Sequence, residues 1–418
     1  MKRPEIKPIT LPRVPQYSTL TTESGAPIYT LHNSTQSVVR VSFVFRAGTS
    51  YQSVPFSASA VVNTLTEGTQ NFSGREIAEG LDFVGSYYDA NIDRDWAVVT
   101  FCSLKKFVAE TLNIAEEVIL RPTFPEREIA SYCAKRKEQL HVQRSKPDQL
   151  SRELFGKALF GEKHPYGITS HEECYDELTP EILREFYISH YNSSSTFAVI
   201  CGDFGEEVEE RVRQILNSLP KGEVPTREIP PAEPTPMAKQ TMEGAVQSSV
   251  KIGIPLFPRT HEDFIPLQVL ATAMGGYFGS RLMQNLREEH GYTYGAYAAM
   301  INLDRSGYFV MSAEVAGDHT QDAIDEMFGE LERIAAEPMS EEELAIVRKI
   351  IVGDAMRVFD GPFGAADVTI ENIQNDTTND YTDHFLHKVE QITPAELQRV
   401  ARQHLQKNAC VVTIIGAE

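Results

Sequence analysis

Glu177-Leu-Thr-Pro-Glu-Ile-Leu-Arg-Glu-Phe-Tyr-Ile-Ser-His-Tyr191 and Gln391-Ile-Thr-Pro-Ala-Glu-Leu-Gln-Arg-Val-Ala-Arg-Gln-His-Leu405 are two versions of one element. Thr179, Pro180, Leu183 and His190 match Thr393, Pro394, Leu397 and His404, each at a displacement of 214 residues (393 minus 179). Each copy opens with a threonine suited to cap a helix N-terminus and a proline suited to the first helical position, where its missing N–H is no loss. An amphipathic helix follows, then an apolar strand: Thr196 to Cys201 in one copy, Val411 to Ile415 in the other. Gly202 and Gly416 close those strands at the same displacement. The chain is built twice on one plan.

A second correspondence supports the first. Ile92-Asp-Arg-Asp-Trp96 precedes the β-rich run Val98-Val-Thr-Phe101, and Leu303-Asp-Arg-Ser-Gly-Tyr308 precedes Phe309-Val-Met311. Both read as hairpins with an Asp-Arg pair near the turn. The break between the copies falls at about 220–245, where Lys221-Gly222 and the five prolines from Pro225 to Pro236 have the composition of a linker. The division expected is 1–224, a Pro-rich linker at 225–240, and 241–418. Ser73 and Glu76 form a capping-box pattern for a helix at 73–83. Further helices are expected at 318–336 and 341–358, the latter capped by Ser340. Strands followed by helical runs imply α+β halves, each a largely antiparallel sheet with helices packed on one face.

At 418 residues the chain exceeds what one hydrophobic core usually serves, in keeping with two halves. A formal net charge of −20 argues against nucleic acid or an anionic membrane as partner, since both need basic patches. Five scattered cysteines, with no C-x-x-C pair, read as reduced and mostly buried thiols. No run approaches the ~18 apolar residues of a membrane span, and no signal-peptide core follows Met1. A cytoplasmic location is the expectation.

Residues 280–295 read Ser280-Arg-Leu-Met-Gln-Asn-Leu-Arg-Glu-Glu-His-Gly-Tyr-Thr-Tyr-Gly295. This stretch resembles the Arg/Tyr segment of the pitrilysin/insulinase family of zinc peptidases, in which an arginine and a tyrosine bind the substrate carbonyl. The resemblance covers essentially the whole chain and implies the same duplicated α+β fold. The family's metal motif, H-x-x-E-H, belongs in the first half. There Phe56 to Thr69 matches its surroundings, with Leu65, Gly68 and Thr69 as anchors. That register puts Ser59, Val62 and Asn63 where two histidines and a glutamate belong. The family's third ligand, a glutamate farther downstream, falls at Gln139, beside Glu138.

Catalytic zinc needs three strong protein ligands and an open position for water. Serine and asparagine are poor ligands, valine cannot act as a base, and one carboxylate does not hold the metal. The plainer reading of 56–69, an interior helix with a polar edge, is the better one. His384 and His387 share a helical spacing but lack a third ligand, so they read as a solvated pair or part of a helix seam. Gly275-Gly-Tyr-Phe-Gly279 lacks the Lys-Ser/Thr of a phosphate loop and reads as a helix connection.

The other half of the site is intact in pattern. The resemblance assigns Arg287 and Tyr294, seven residues apart, to the substrate carbonyl, whose oxygen becomes negative when attacked and accepts from a guanidinium and a phenol. Tyr292 is the competing tyrosine, at a spacing that fits less well. Short members of the family work as two-chain assemblies, and in some of them one subunit carries H-x-x-E-H and the other the Arg/Tyr pair. The resemblance therefore implies a non-catalytic subunit without a cofactor of its own, whose homologous partner brings zinc and the glutamate base. Peptide would lie as an added strand on a sheet edge, that of the partner's first half. Self-association of the isolated chain is left open. The alternative is a peptide-binding or scaffold protein of the same fold that has lost proteolysis altogether; a stand-alone peptidase with a remade metal site is a distant third. Purified alone, the chain is expected to carry no stoichiometric zinc and to cleave no peptide. About one zinc per chain with chelator-sensitive peptidase activity would overturn that assignment.

Overall fold

Val38–Phe45 reads Val-Val-Arg-Val-Ser-Phe-Val-Phe, and its alternation decides the layering. Val39, Val41, Phe43 and Phe45 point into one core, while Val44 points to the opposite face and packs with a separate cluster. A sheet built on such strands must be covered on both sides. The computed structural model describes residues 11–416 and shows how this is done.

The first sheet comprises β1 (Ser18–Thr21), β2 (Pro27–His32), β3 (Val38–Phe45), β4 (Tyr87–Ile92), β5 (Ala97–Leu104) and β6 (Thr196–Gly202), in the order β1-β2-β6-β3-β5-β4. The second comprises β7 (Met237–Thr241), β8 (Gln247–Leu256), β9 (Thr293–Leu303), β10 (Ser306–Ala316) and β11 (Val411–Gly416), in the order β7-β11-β8-β10-β9. Apart from the extra β1 the two orders correspond strand for strand. Even the single parallel pairing recurs, β2 with β6 and β7 with β11, in otherwise antiparallel sheets. The duplicated plan of the sequence is thus a duplicated topology, an α+β fold in two halves.

Helices of the first half are α1 (Ser57–Thr64), α2 (Gly74–Phe83), α3 (Val108–Leu120), α4 (Glu126–Arg144), α5 (Pro147–Phe160), α6 (Pro180–His190) and α7 (Glu206–Ser218). Those of the second are α8 (Phe264–Gly275), α9 (Thr320–Ala336), α10 (Glu341–Val358), α11 (Gly364–Gln374), α12 (Asn379–Gln391) and α13 (Pro394–His404). Their ends follow the cap signals. Thr179 and Thr393 accept from the backbone N–H three residues on, Ser340 does the same for α10, and Ser73 with Glu76 closes a full capping box on α2. Gly202 and Gly416 end their strands at φ of 125° and 148°. No helix among the described residues is long and apolar enough to cross a membrane.

Most helices of each half cover one face of their own sheet, as expected. The opposite faces are covered by exchange. From the first half, α5 lays Phe155, Ala158, Leu159 and Phe160 on Leu303, Val310 and Val411 of the second sheet. From the second half, α11 lays Ala366 and Ile370 on Val44, Phe197, Val199 and Cys201 of the first. Burial at roughly 25 cal/mol per Å² makes each exchanged helix a substantial bond between halves.

The hairpin turns meet between the two sheets. Asp95, in the β4–β5 turn, accepts from the backbone N–H of Asp304, in the β9–β10 turn, at 3.0 Å. Arg227, from the proline-rich segment, reaches Asp95 Oδ1 at 2.5 Å, the Tyr166 hydroxyl at 2.8 Å and Asp304 Oδ2 at 3.5 Å. Its guanidinium lies over the Tyr51 ring at 4.2 Å. The side chains of Arg227, Asp95 and Asp304 are each only 8% exposed. Burial and the neighbouring Asp95 push the Tyr166 phenol far up, so it remains a neutral donor. Replacing Arg227 by Ala leaves the buried Asp95 carboxylate without its cation and Asp304 with Arg46 alone, at 3.5 Å, and is expected to destabilise the chain by about 3–5 kcal/mol. Adding Asp95→Asn should recover much of that loss. Denaturant unfolding measures both; a loss below about 1 kcal/mol for Arg227→Ala would show that the junction does not couple the halves.

Candidate functional site

Helix α1 carries the degenerate metal-motif positions. Its entry is strained: Phe56 sits at φ 67°, a left-handed conformation that L residues avoid. The Phe56 ring stacks flat on Tyr175 with centroids 4.2 Å apart, which offsets the strain. Ala58, Ala60, Val61, Val62 and Leu65 are buried in the first core. Ser59 and Asn63, one turn apart, are half-buried on the remaining edge. Asn63 Nδ2 donates to the Ser59 carbonyl at 2.7 Å, which turns its own Oδ1 outward. That oxygen accepts from Arg136 Nη2 at 3.2 Å, and Nη1 of the same guanidinium donates to Gln139 Oε1 at 3.3 Å. Arg136 also lies over the Tyr132 ring at 5.3 Å. Helix α4 packs on α1, so Asn63 and Gln139 stand on either side of one arginine.

These residues do not fit zinc. Val62 has no donor and is fully buried. The Asn63 and Gln139 carbonyl oxygens are engaged by a cation, and both Glu138 and Gln139 are exposed. Among the described residues no group of three or more His, Cys, Asp or Glu side chains is gathered as a metal would need. His387 spends its Nδ1 on the Asp383 carbonyl within α12.

In the second half Arg287 belongs to a π-helix, Met283–Glu289, a wider coil with i→i+5 bonds that is rare in proteins and frequent at functional sites. Buried side chains hold it in place. Asn285 Nδ2 donates to Glu326 at 2.8 Å and Glu330 at 3.1 Å, both on α9. Just before it, Arg281 makes a two-pronged pair with Glu343 of α10 at 2.8 and 2.9 Å. Gly291, at φ 70°, then turns the chain into β9 through a conformation that a side chain would strain.

Strand β9 is the edge of its sheet, and a bulge marks its start. Thr293 pairs with Val315 and Ala296 with Ala313, so Tyr294 and Gly295 share one partner residue. Such a bulge re-aims side chains, and Tyr294 is 88% exposed. Arg287 Nη1 donates to the Tyr294 carbonyl at 3.1 Å. The Arg287 guanidinium lies over the Phe278 ring at 4.7 Å and pairs with Glu288 at 3.4 Å. Among the described residues nothing hydrogen-bonds the Tyr294 hydroxyl. Tyr292, by contrast, is half-buried and stacked between His290 at 5.0 Å and His319 at 4.6 Å.

The structure therefore gathers two groups and keeps them apart. Asn63 and Gln139 meet around Arg136; Arg287 and Tyr294 meet at the head of β9. No hydrogen bond, ion pair or cation–aromatic contact among the described residues joins one group to the other. Sequence reading missed Arg136, although its spacing of three from Gln139 on a helix was a usable signal. It also missed Phe278 as the platform under Arg287.

Comparison with known proteins agrees with this architecture. The profile of insulinase (peptidase family M16) matches residues 28–168, and that of the peptidase M16 inactive domain matches residues 177–351. An uncharacterized zinc protease of Bacillus subtilis is 21% identical over 340 residues, 80% of this chain and 83% of that protein. An uncharacterized zinc protease of Rickettsia bellii is 24% identical over 77% of this chain and 78% of its own length. The crystal structure of a peptidase M16 inactive domain from Pseudomonas fluorescens superposes with a TM-score of 0.89 at 21% identity, covering 96% of this chain and 98% of that one. With two family profiles over its two halves and a shared fold throughout, the chain belongs to the pitrilysin/insulinase family, peptidase family M16.

Proposed function

We propose that this chain is the non-catalytic subunit of a heterodimeric zinc metallopeptidase, supplying Arg287 and Tyr294 to the substrate carbonyl in a partner's active site. The observation that carries this reading is the uncommitted phenol of Tyr294, held out at a bulge next to a guanidinium, in a chain whose own metal-motif positions suit no metal. The partner, a homologous H-x-x-E-H subunit, would bring zinc and the general base. In this chain Phe278 holds the Arg287 guanidinium by a cation–π contact, and Arg287 holds the backbone that carries Tyr294. Both side chains then donate to the oxygen on which negative charge develops. Donors fixed in advance are worth more there than water, which must reorganise. The peptide is bound as a strand along the partner's first-half sheet edge.

Tyr294→Phe is the direct test, because it deletes the donor and keeps the ring. Assembled with an H-x-x-E-H partner, the variant should form an intact complex whose kcat is lower by on the order of 10²–10³. Normal hydrolysis by an intact complex would show that the tyrosine or its role is wrong. Activity lost only through failure to associate would favour a scaffold. Arg287→Ala should also lower turnover, and needs the same assembly check because the arginine packs on Phe278.

A further inference from the structure

We propose that the Arg136 guanidinium is the resident cation of the first half's metal-motif position, where it bridges the Asn63 and Gln139 carbonyl oxygens, clasps α1 to α4 and excludes a divalent metal. The register of the motif assigns Asn63 and Gln139 to ligand positions on two different helices. A metal there would tie those helices together through a positive centre. The guanidinium does the same with two N–H groups, at 3.2 Å to Asn63 and 3.3 Å to Gln139. It is suited to the task because its charge is permanent and its donors are forked in one plane.

The surroundings are adapted to this cation. Tyr132, one turn before Arg136 on α4, offers its ring face at 5.3 Å, and burial pushes its phenol up against the pull of Arg136, so the ring stays neutral. Asn63 is locked by its bond to the Ser59 carbonyl, so that oxygen and not nitrogen faces the guanidinium. Neutral amide oxygens are weak zinc ligands, yet they are good acceptors for a charged N–H. An incoming dication would meet a like charge and two occupied oxygens. The replacement of ligands and the presence of Arg136 form one arrangement. It rests on the isolated chain and is independent of any pairing with a partner.

The test restores the ligands with and without the arginine. The full chain carrying Ser59→His, Asn63→His and Gln139→Glu is compared with the same variant also carrying Arg136→Met. Both are exposed to zinc, dialysed and assayed for bound metal, with cobalt(II) absorption reporting a tetrahedral site. Removing Arg136 is expected to tighten zinc binding at least about tenfold, to near one metal per chain, with a zinc-dependent rise in Tm. Equal uptake by the two variants, or none by either while both are folded, overturns the proposal. Should the restored variants fold poorly, Arg136→Met in the otherwise unchanged chain decides. It should lower Tm by about 2–4 °C and speed amide exchange in α1, with Arg136→Lys restoring little because an ammonium has no fork. Unchanged Tm and exchange overturn the clasp.

Discussion

Arg227 sets the relation between the two halves. One buried guanidinium from the proline-rich segment holds Asp95 of one hairpin turn and Asp304 of the other, with the Tyr166 hydroxyl beside them and Arg46 of the first half as a second cation on Asp304. An ion cluster of this kind adds little net stability, because desolvation offsets much of the attraction. Its strength is in specificity: any relative slip of the hairpins leaves a buried charge unpaired. The exchanged helices α5 and α11 supply the apolar area, and Arg227 fixes the register at which that area is buried. A segment with linker composition is thereby a structural keystone.

Much of this fold was legible in the chain, for reasons that can be named. Thr-Pro at 179–180 and 393–394 is local capping chemistry, and local chemistry repeats visibly when a plan is duplicated. The same is true of Ser73/Glu76 and Ser340, whose cap bonds reach only three residues. Helix exchange was not legible. The run Thr196–Cys201 is apolar at nearly every position, which shows that both faces of β6 are covered. It does not show by what, since α11 lies more than 160 residues away. Arg227 is invisible for the same reason: its partners are 132 and 77 residues distant, and a long-range charge pair leaves no period. At the site, the spacing of Arg287 and Tyr294 was readable, but the π-helix and the bulge that aim them were not.

The duplicated elements have diverged. In the first half, α1 is core: Val62 is fully buried, and Asn63 on its polar edge is held by Arg136, which also bonds the exposed Gln139. Its counterpart in the second half, α8, is more apolar still, with Phe264, Leu267, Val269, Leu270, Ala273 and Met274 all buried. The α2 position has diverged too. It is a regular capped helix in the first half and the π-helix bearing Arg287 in the second.

That last contrast bears on function. A π-helix has poorer hydrogen-bond geometry than an α-helix, and here it is held by a buried Asn285 whose Oδ1 finds no protein partner. The bulge at Tyr294–Gly295 interrupts an edge ladder, and an aromatic ring at 88% exposure gains little from burial. Each of these features lowers stability, and a chain optimised only for folding would lose them. At the metal-motif positions of the first half, by contrast, Val62 is buried in the core and Asn63 is bonded to Ser59 and Arg136 within the chain. Under the function proposed above these costs have a use, because the second half is the one that would face the scissile carbonyl.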